Sequence, residues 1–151
     1  MSCLSLLDKF GKLSSHQRRL LLEAGFWLLT ARLTLLCFRL SRIAGRLGQL
    51  YKQAECRDES RKNPAVVHEI AWAIRHAAQA IPAPLVCLPR SLAAWKMLDR
   101  RRIHARLHFG ASRTPDERRL CTHAWVDACG VEVTGYPEAY RCVEIGYYAR
   151  E

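Results

Sequence analysis

The sequence predicts an α+β domain in which helices come first and an antiparallel sheet follows. Up to about residue 102, apolar residues recur with the period of about 3.6 residues that is typical of helices. From Ile103 onwards, apolar and polar residues alternate, as they do in a half-buried strand. Helices that precede the strands, rather than alternating with them, are typical of the α+β class.

Composition and charge narrow the class of protein. The chain has 151 residues, of which 50% are hydrophobic and 25% charged, which excludes a disordered or low-complexity protein. Its net charge is +10, and residues 1–62 hold 12 basic but only 5 acidic side chains. Such a basic segment suits an acidic peptide or an anionic membrane surface. No zinc-finger, RNA-recognition or basic-zipper pattern accompanies the charge, so nucleic acid is not an expected partner.

Cysteine usage and the apolar segments indicate the compartment. The seven cysteines are odd in number, irregularly spaced and without a CxxC pair, which favours a reducing cytoplasm. The start of the chain has no secretion-signal pattern. The most apolar window, residues 20–38, contains Glu23 and Arg32 and is therefore a poor transmembrane helix. It remains suited to peripheral contact with a membrane or to packing on a partner.

The first 62 residues are predicted to form helices and a linker. Ser14 and Gln17 have the spacing of a capping box, and the apolar period that follows predicts a helix over residues 15–37. A second helix is predicted over residues 42–51. Residues 53–63 are charged and lack an apolar rhythm, so they are interpreted as a linker. The predicted division is an N-terminal helical segment, residues 1–62, followed by a core, residues 63–151.

The core is predicted to contain two helices and four strands. Asn63 and Pro64 suit the first positions of a helix, which the Pro-rich run at residues 81–84 ends. The second helix is predicted over Cys87–Arg102. The predicted strands are Ile103–Phe109, Cys121–Ala128, Val131–Thr134 and Cys142–Tyr148, with a polar loop at residues 110–119 and a tight turn at Cys129 and Gly130.

Cys87 and His123 are the candidate catalytic residues. Cys87 falls at the start of a predicted helix, where free N–H groups and the helix dipole favour a thiolate and an oxyanion. His123 falls on a predicted strand. A nucleophilic cysteine needs a base within hydrogen-bond reach, and a helix-borne Cys with a strand-borne His is the papain-like arrangement.

Two blocks of sequence resemble one family. The first begins at Cys87 and reads CLPRSLAAWKMLDRRRIHARLHFG, and the second begins at Thr122 and reads THAWVDACG. Together they resemble the signature of the transglutaminase-like B proteins of lasso-peptide biosynthesis, in the stand-alone protease form, over about residues 64–148. The resemblance implies a papain/transglutaminase-like core, in which the helix that carries the cysteine packs on an antiparallel sheet.

The resemblance also implies an activity and its partners. It implies a cytoplasmic cysteine peptidase, without cofactor or metal, that removes the leader from a precursor peptide. The implied partners are a small leader-recognition protein and an ATP-dependent lasso cyclase. Cys87 matches the nucleophile of the family and His123 its general base. The family often has an aspartate a dozen residues after the histidine, where this chain has Gly135.

The group that orients His123 is left open by the sequence. Asp127 shares a face with His123 but lies roughly 13 Å along the strand, too far for direct contact. A tight hairpin brings residues 134–136 opposite His123, so a backbone carbonyl, a water molecule or Thr134 remain as alternatives. Glu132 is expected nearer Asp127.

Other functions are compatible with the same residues. Cys121, His123 and Cys129 form a weak zinc-ligand hypothesis, since their spacing matches no familiar knuckle. A catalytically silent module that delivers a peptide is a second alternative, motivated by the missing aspartate. A third is acyl transfer to an amine, which uses the same Cys–His chemistry as hydrolysis.

Overall fold

The computed structural model describes residues 13–37, 49–51, 63–82, 85–113 and 120–149. Within these ranges the helices are α1 (Ser15–Cys37), α2 (Pro64–Ala80) and α3 (Cys87–Arg100). The strands are β1 (Gln49–Tyr51), β2 (Arg106–Arg113), β3 (Leu120–Ala128), β4 (Val131–Thr134) and β5 (Val143–Ala149), and a 3₁₀ helix covers Glu138–Arg141. Helices precede an antiparallel sheet, so the α+β prediction is confirmed.

The predicted starts of α1 and α2 are confirmed by their caps. The backbone N–H of Gln17 donates to Oγ of Ser14, and the side-chain oxygen of Gln17 accepts from the Ser14 N–H in return. This exchange is a capping box, which satisfies donors that a helix start leaves unpaired. At α2, the side chain of Asn63 accepts from the Val66 N–H.

The sheet has the strand order β1-β5-β2-β3-β4, with every neighbouring pair antiparallel. Strands β3 and β4 are joined by a two-residue turn, in which Cys129 and Gly130 both have positive φ angles of 52° and 74°. This conformation matches the twist of a hairpin. The turn pairs Asp127 with Glu132, as expected, and a register shift follows between Val126 and Asp127.

Helices α2 and α3 pack on one face of the sheet, and α1 packs on these two helices. Leu107 and Val126, which pair across β2 and β3, belong to the core that the helices share with the sheet. Because side chains alternate along a strand, the residues between them point to the opposite face. That second face carries His108, Trp125 and His123, whose rings contact one another. The candidate base is therefore part of an aromatic cluster rather than of the helical core.

Helix α1 is joined to the core and yet keeps an exposed apolar side. Leu20, Ala24 and Leu28 are buried, and α1 packs on α2 and α3. Arg101 holds both carboxylate oxygens of Glu23, at 3.0 and 2.7 Å. This pair lowers the pKa of Glu23. The opposite side of α1 presents an exposed stripe, which we call the α1 stripe: Leu22, Phe26, Leu29, Leu33 and Leu36.

By length and apolar composition, α1 is the one helix among the described residues that could cross a membrane. A core helix passes the same test. The buried residues of α1 and the Glu23–Arg101 pair show that this helix packs as part of the domain.

Some predicted boundaries differ from the structure. The helix predicted over residues 42–51 is wrong at its end, because Gln49–Tyr51 forms β1 and pairs with β5. Residues 42–48 and the predicted linker up to residue 62 lie outside the described residues, and the division at residue 62 stays a prediction. Residues 110–113, predicted as loop, extend β2, while residues 114–119 also lie outside the described ranges.

Helix α3 ends at Arg100, and β2 begins later than predicted, at Arg106. The physical reason is the way the helix is closed. Arg102 takes a positive φ of 55°, the Arg102 N–H donates to the Asp99 carbonyl, and the Ile103 N–H donates to the Leu98 carbonyl. These two bonds form a Schellman motif, which closes the helix. The motif includes Ile103, which the alternation of apolar and polar residues had predicted as the first residue of the strand.

Candidate active site

Cys87 is the first residue of α3, and its side chain is partly exposed. Val86 occupies the capping position and makes no side-chain hydrogen bond to the helix. Val86 therefore does not compete for the amide N–H groups of Cys87 and Leu88, the two donors that precede Pro89 and that suit an oxyanion beside the thiol.

His123 lies on β3, and its Nε2 atom is 2.7 Å from the carbonyl oxygen of Gly135. A carbonyl only accepts hydrogen bonds, so Nε2 carries the proton and donates it. In the neutral imidazole the second nitrogen, Nδ1, then has a free lone pair. Within the described residues Nδ1 has no hydrogen-bond partner, and this contact therefore fixes the tautomer in which Nδ1 can accept a proton.

Gly135 can occupy its place only because it has no side chain. Its φ of +86° is strained for other residues, and a Cβ atom built there would lie 2.5 Å from Cβ of Trp125 and 2.8 Å from the Ala124 carbonyl oxygen. The aspartate that the family resemblance implies at this position does not fit this backbone. The carbonyl of Gly135 also accepts from the Ala139 N–H at 3.0 Å. That second bond ties it to the start of the 3₁₀ helix.

Thr134 does not orient His123. It pairs with Val126 across the hairpin, so its side chain faces the helical core, whereas His123 faces the other side of the sheet. Its hydroxyl lies 3.1 Å from that of Ser91, and the Ser91 hydroxyl donates to the Ala124 carbonyl at 3.0 Å. Since Ser91 has one hydroxyl proton, Thr134 is the donor between the two. The pair is buried and binds α3 to β3.

The Ser91 contact places the beginning of α3 beside the His123 segment of β3. Ser91 lies one helical turn after Cys87, on the same face of α3, and Ala124 directly follows His123. Cys87 and His123 are thus brought to neighbouring segments. No hydrogen bond joins Cys87 Sγ to the His123 ring in the part of the chain that the structure describes.

Comparison with known proteins identifies the family. The sequence pattern of the transglutaminase-like superfamily matches residues 27–144. The chain belongs to this superfamily. No curated protein and no solved structure matches the chain. Membership agrees with the fold, a cysteine-bearing helix on an antiparallel sheet, and indicates thiol chemistry of the peptidase or acyltransferase type.

The transglutaminase-like domain contains a second histidine that the sequence analysis did not single out. His108 on β2 is buried, and its two ring nitrogens contact Asp127 Oδ1 at 2.5 Å and Glu144 Oε1 at 3.0 Å. Burial alone would lower the pKa of His108, but the hydrogen bonds and charges of the two carboxylates outweigh it and raise the pKa. His108 is therefore held as an imidazolium with both nitrogens donating.

Trp125 connects the two histidines. The ring of His108 is parallel to that of Trp125 within 3°, with centroids 5.3 Å apart, and His123 stacks on Trp125 at 6.0 Å. Gly110 makes room for this tryptophan, because a Cβ atom there would lie 2.7 Å from its ring. The sequence signal for the cluster was the alternation of His104, Arg106 and His108 with apolar residues, of which Arg106 and His108 lie on β2.

The remaining acidic residues have other partners. Asp127 contacts His108 and not His123, which agrees with the distance expected along the strand. Glu132 accepts from the hydroxyl of Tyr140. Burial, with the nearby charges of Asp127 and Glu132, raises the pKa of Tyr136 strongly, so its hydroxyl stays protonated.

The zinc-ligand hypothesis is not supported by the strand geometry. Cys121 and Cys129 lie at opposite ends of β3, more than about 20 Å apart at the rise of an extended strand. No group of three His, Cys, Asp or Glu side chains among the described residues is arranged to hold a metal ion.

Proposed function

We propose that the chain is a cysteine peptidase that removes the leader from a lasso-peptide precursor. The observation that carries the proposal is the bond from His123 Nε2 to the Gly135 carbonyl, which leaves Nδ1 able to accept a proton. The Ser91 contact with the Ala124 carbonyl, next to His123, supports the pairing with the helix that begins with Cys87. The precursor class rests on the resemblance of the two sequence blocks that begin at Cys87 and Thr122. Membership of the superfamily supports the thiol chemistry.

The proposed reaction uses only groups of this chain and water. Nδ1 of His123 takes the proton of the Cys87 thiol, and the thiolate attacks the scissile carbonyl. The first amide N–H groups of α3 stabilise the oxyanion. His123 returns the proton to the leaving amine, and water then hydrolyses the thioester. The reaction requires Cys87 and His123 to approach to hydrogen-bond distance when the substrate binds, since catalytic contacts often tighten in the complex.

The test is cleavage of the precursor peptide encoded beside the gene for this chain, in the presence of the small recognition protein, followed by mass spectrometry. Cys87→Ala is expected to lower the rate by several orders of magnitude while the circular-dichroism spectrum is unchanged. Cys121→Ala is the matched control, because Cys121 is an exposed thiol on β3. Turnover by Cys87→Ala close to that of the unaltered protein would contradict the proposal.

The mass of the product separates hydrolysis from acyl transfer. A leader that ends in a free carboxylate supports the peptidase. A leader that gains the mass of an added primary amine, at a rate above that of hydrolysis, supports a transglutaminase-type acyl transferase. A precursor that binds the chain without being cleaved supports a silent delivery module.

The α1 stripe is the proposed docking surface for the leader-bound recognition protein. Its five large apolar side chains are each about half exposed or more, and an exposed patch of this size is typical of an interaction site. The exposed basic side chain of Arg19 lies beside it on the helix surface, which favours an acidic partner. The ATP-dependent cyclase then acts on the released core peptide, and the proposed compartment is the cytoplasm.

Substitutions on the stripe test the docking proposal without removing α1 from the core. Leu29→Gln with Leu33→Gln is expected to slow processing of the full precursor at least tenfold, while labelling of Cys87 by iodoacetamide is unchanged. Gly25→Gln is the control, since Gly25 lies on the same helix with open space around it. Equal loss in both assays would contradict docking. Binding of the unaltered chain to anionic vesicles, lost in the double variant, would assign the stripe to a membrane instead.

A further inference from the structure

A cavity of about 340 Å³ opens between α2, the first turn of α3 and β4. Two features connect it with the candidate active site. Gly135, whose carbonyl holds His123, forms part of its wall, and Arg90 in the same wall lies one turn after Cys87. The wall of the cavity therefore includes a residue that binds His123 and a residue of the helix turn that Cys87 begins.

The charges around the cavity favour an anion. Arg75 from α2 and Arg90 from α3 line it, both side chains are exposed, and neither has a carboxylate partner among the described residues. Glu132 is the acidic residue in the wall, and its carboxylate accepts from the Tyr140 hydroxyl. The wall of the cavity thus holds two guanidinium groups and one carboxylate, and that carboxylate already accepts a hydrogen bond.

The acidic residues near Tyr136 do not change this balance. Asp127 and Glu144 lie on the other face of the sheet, where the His108 imidazolium contacts both of them. That cation offsets one of their two negative charges, and the other lies on the far side of the sheet from the two guanidinium groups. The floor of the cavity is apolar, with Ala71, Ile74 and Val133, and suits the methylene groups of a side chain whose end is charged.

We propose that this cavity is a substrate subsite for an aspartate or glutamate side chain of the peptide, close to the scissile bond. The inference rests on the proposed peptidase function and adds the substrate class to it. Guanidinium groups bind carboxylates through paired, charge-assisted hydrogen bonds, which fix the direction of the side chain as well as its charge. A lysine side chain would meet two like charges, and a glutamine would lose the charge assistance.

Peptidyl acyloxymethyl ketones provide a probe that needs no knowledge of the natural precursor. In a matched set, glutamate, glutamine or lysine is placed in turn at each of the four positions before the reactive ketone. The measurement is the second-order rate constant for alkylation of Cys87, followed by mass spectrometry. At one position we expect glutamate to react about tenfold faster than glutamine and lysine to react slowest, with the difference falling at high salt.

Variants of the two arginines assign the preference to the cavity. Arg75→Gln and Arg90→Gln are each expected to reduce the ratio of the glutamate to the glutamine rate, and the double variant to bring it close to one. Arg113→Gln, at an exposed arginine on β2 that does not line the cavity, is the matched control and should keep the ratio. Equal rates for glutamate and glutamine at every position, or a preference that survives in the double variant, would overturn the subsite.

The outcomes also separate the subsite from the peptidase proposal. If peptide reagents label Cys87 rapidly without preferring glutamate, only the subsite fails. If iodoacetamide labels Cys87 but none of the peptide reagents does, the proposed peptidase function fails together with the subsite.

Discussion

The two histidines on either side of Trp125 differ in one respect that decides their roles. His108 uses both ring nitrogens, one on Asp127 and one on Glu144, and is held as a cation. His123 uses only Nε2, on the Gly135 carbonyl, and keeps Nδ1 for a proton. A histidine whose two nitrogens both donate cannot act as a base. Because the partner of Nε2 is a neutral carbonyl, His123 can keep the neutral tautomer that the proposed base requires.

The largest effect is expected from the base. His123→Ala should lower kcat/KM for precursor cleavage about 10²–10⁴-fold, because the thiol proton then has no acceptor. The unfolding midpoint in urea should change little, since the ring of His123 is only partly buried. If His123→Ala reduces cleavage no more than His108→Gln does, the proposed difference in role between the two histidines is wrong.

The next effect concerns the glycine that holds the base. Gly135→Ala should lower kcat/KM at least about tenfold, because its Cβ would collide with Trp125 and move the carbonyl away from His123. Gly135→Asp should be no better than Gly135→Ala, although it restores the residue type of the family. Gly130→Ala is the control, since it has a similar positive φ and open space around it. Higher activity of Gly135→Asp than of the unaltered chain would show that an aspartate is accommodated there.

Removal of the second histidine should act on stability first. His108→Gln is expected to reduce the free energy of unfolding by about 1–3 kcal/mol, because Asp127 and Glu144 lose the cation between them. Urea denaturation measures this loss. Cleavage should fall less than in His123→Ala, since Trp125 is still in place. A stable His108→Gln protein with activity as low as that of His123→Ala would make His108 part of the catalytic machinery.

The smallest effect is the pH dependence of that stability difference. Because the pKa of His108 is raised above 6.5 in the folded state, its contribution is fully present below pH 6.5 and is lost as the pH rises through the raised value. The gap in unfolding free energy between the unaltered chain and His108→Gln should therefore be larger at pH 6 than at pH 9. A gap that grows with pH would contradict the imidazolium assignment.

The sequence predicted well those elements that have a local physical signal. The capping residues Ser14 and Asn63 located two helix starts, and the turn at Cys129 and Gly130 set the register that pairs Asp127 with Glu132. The edge strand of the sheet, Gln49–Tyr51, was wrongly predicted as the end of a helix. Three residues are too short for a periodic signal, and their partner β5 lies almost a hundred residues away in sequence.

The site was predictable in its residue types but not in its contacts. Cys87 and His123 were visible from their positions on a helix start and a strand. The role of His108 was not, because it depends on Glu144, which only the pairing of β2 with β5 brings near. Thr134 remained an alternative for the orienting group until the pairing with Val126 showed which way its side chain points.

The carbonyl of Gly135 has a consequence for how this chain is recognised as an enzyme. A backbone carbonyl cannot be recognised from residue identities, so a sequence search that requires an acidic third residue does not find it. Replacing the amide bond between Gly135 and Tyr136 by an ester, which weakens the carbonyl as an acceptor, tests the proposed positioning of His123 by this carbonyl directly. Chains of this superfamily with glycine at this place therefore cannot be dismissed as inactive on their side chains alone.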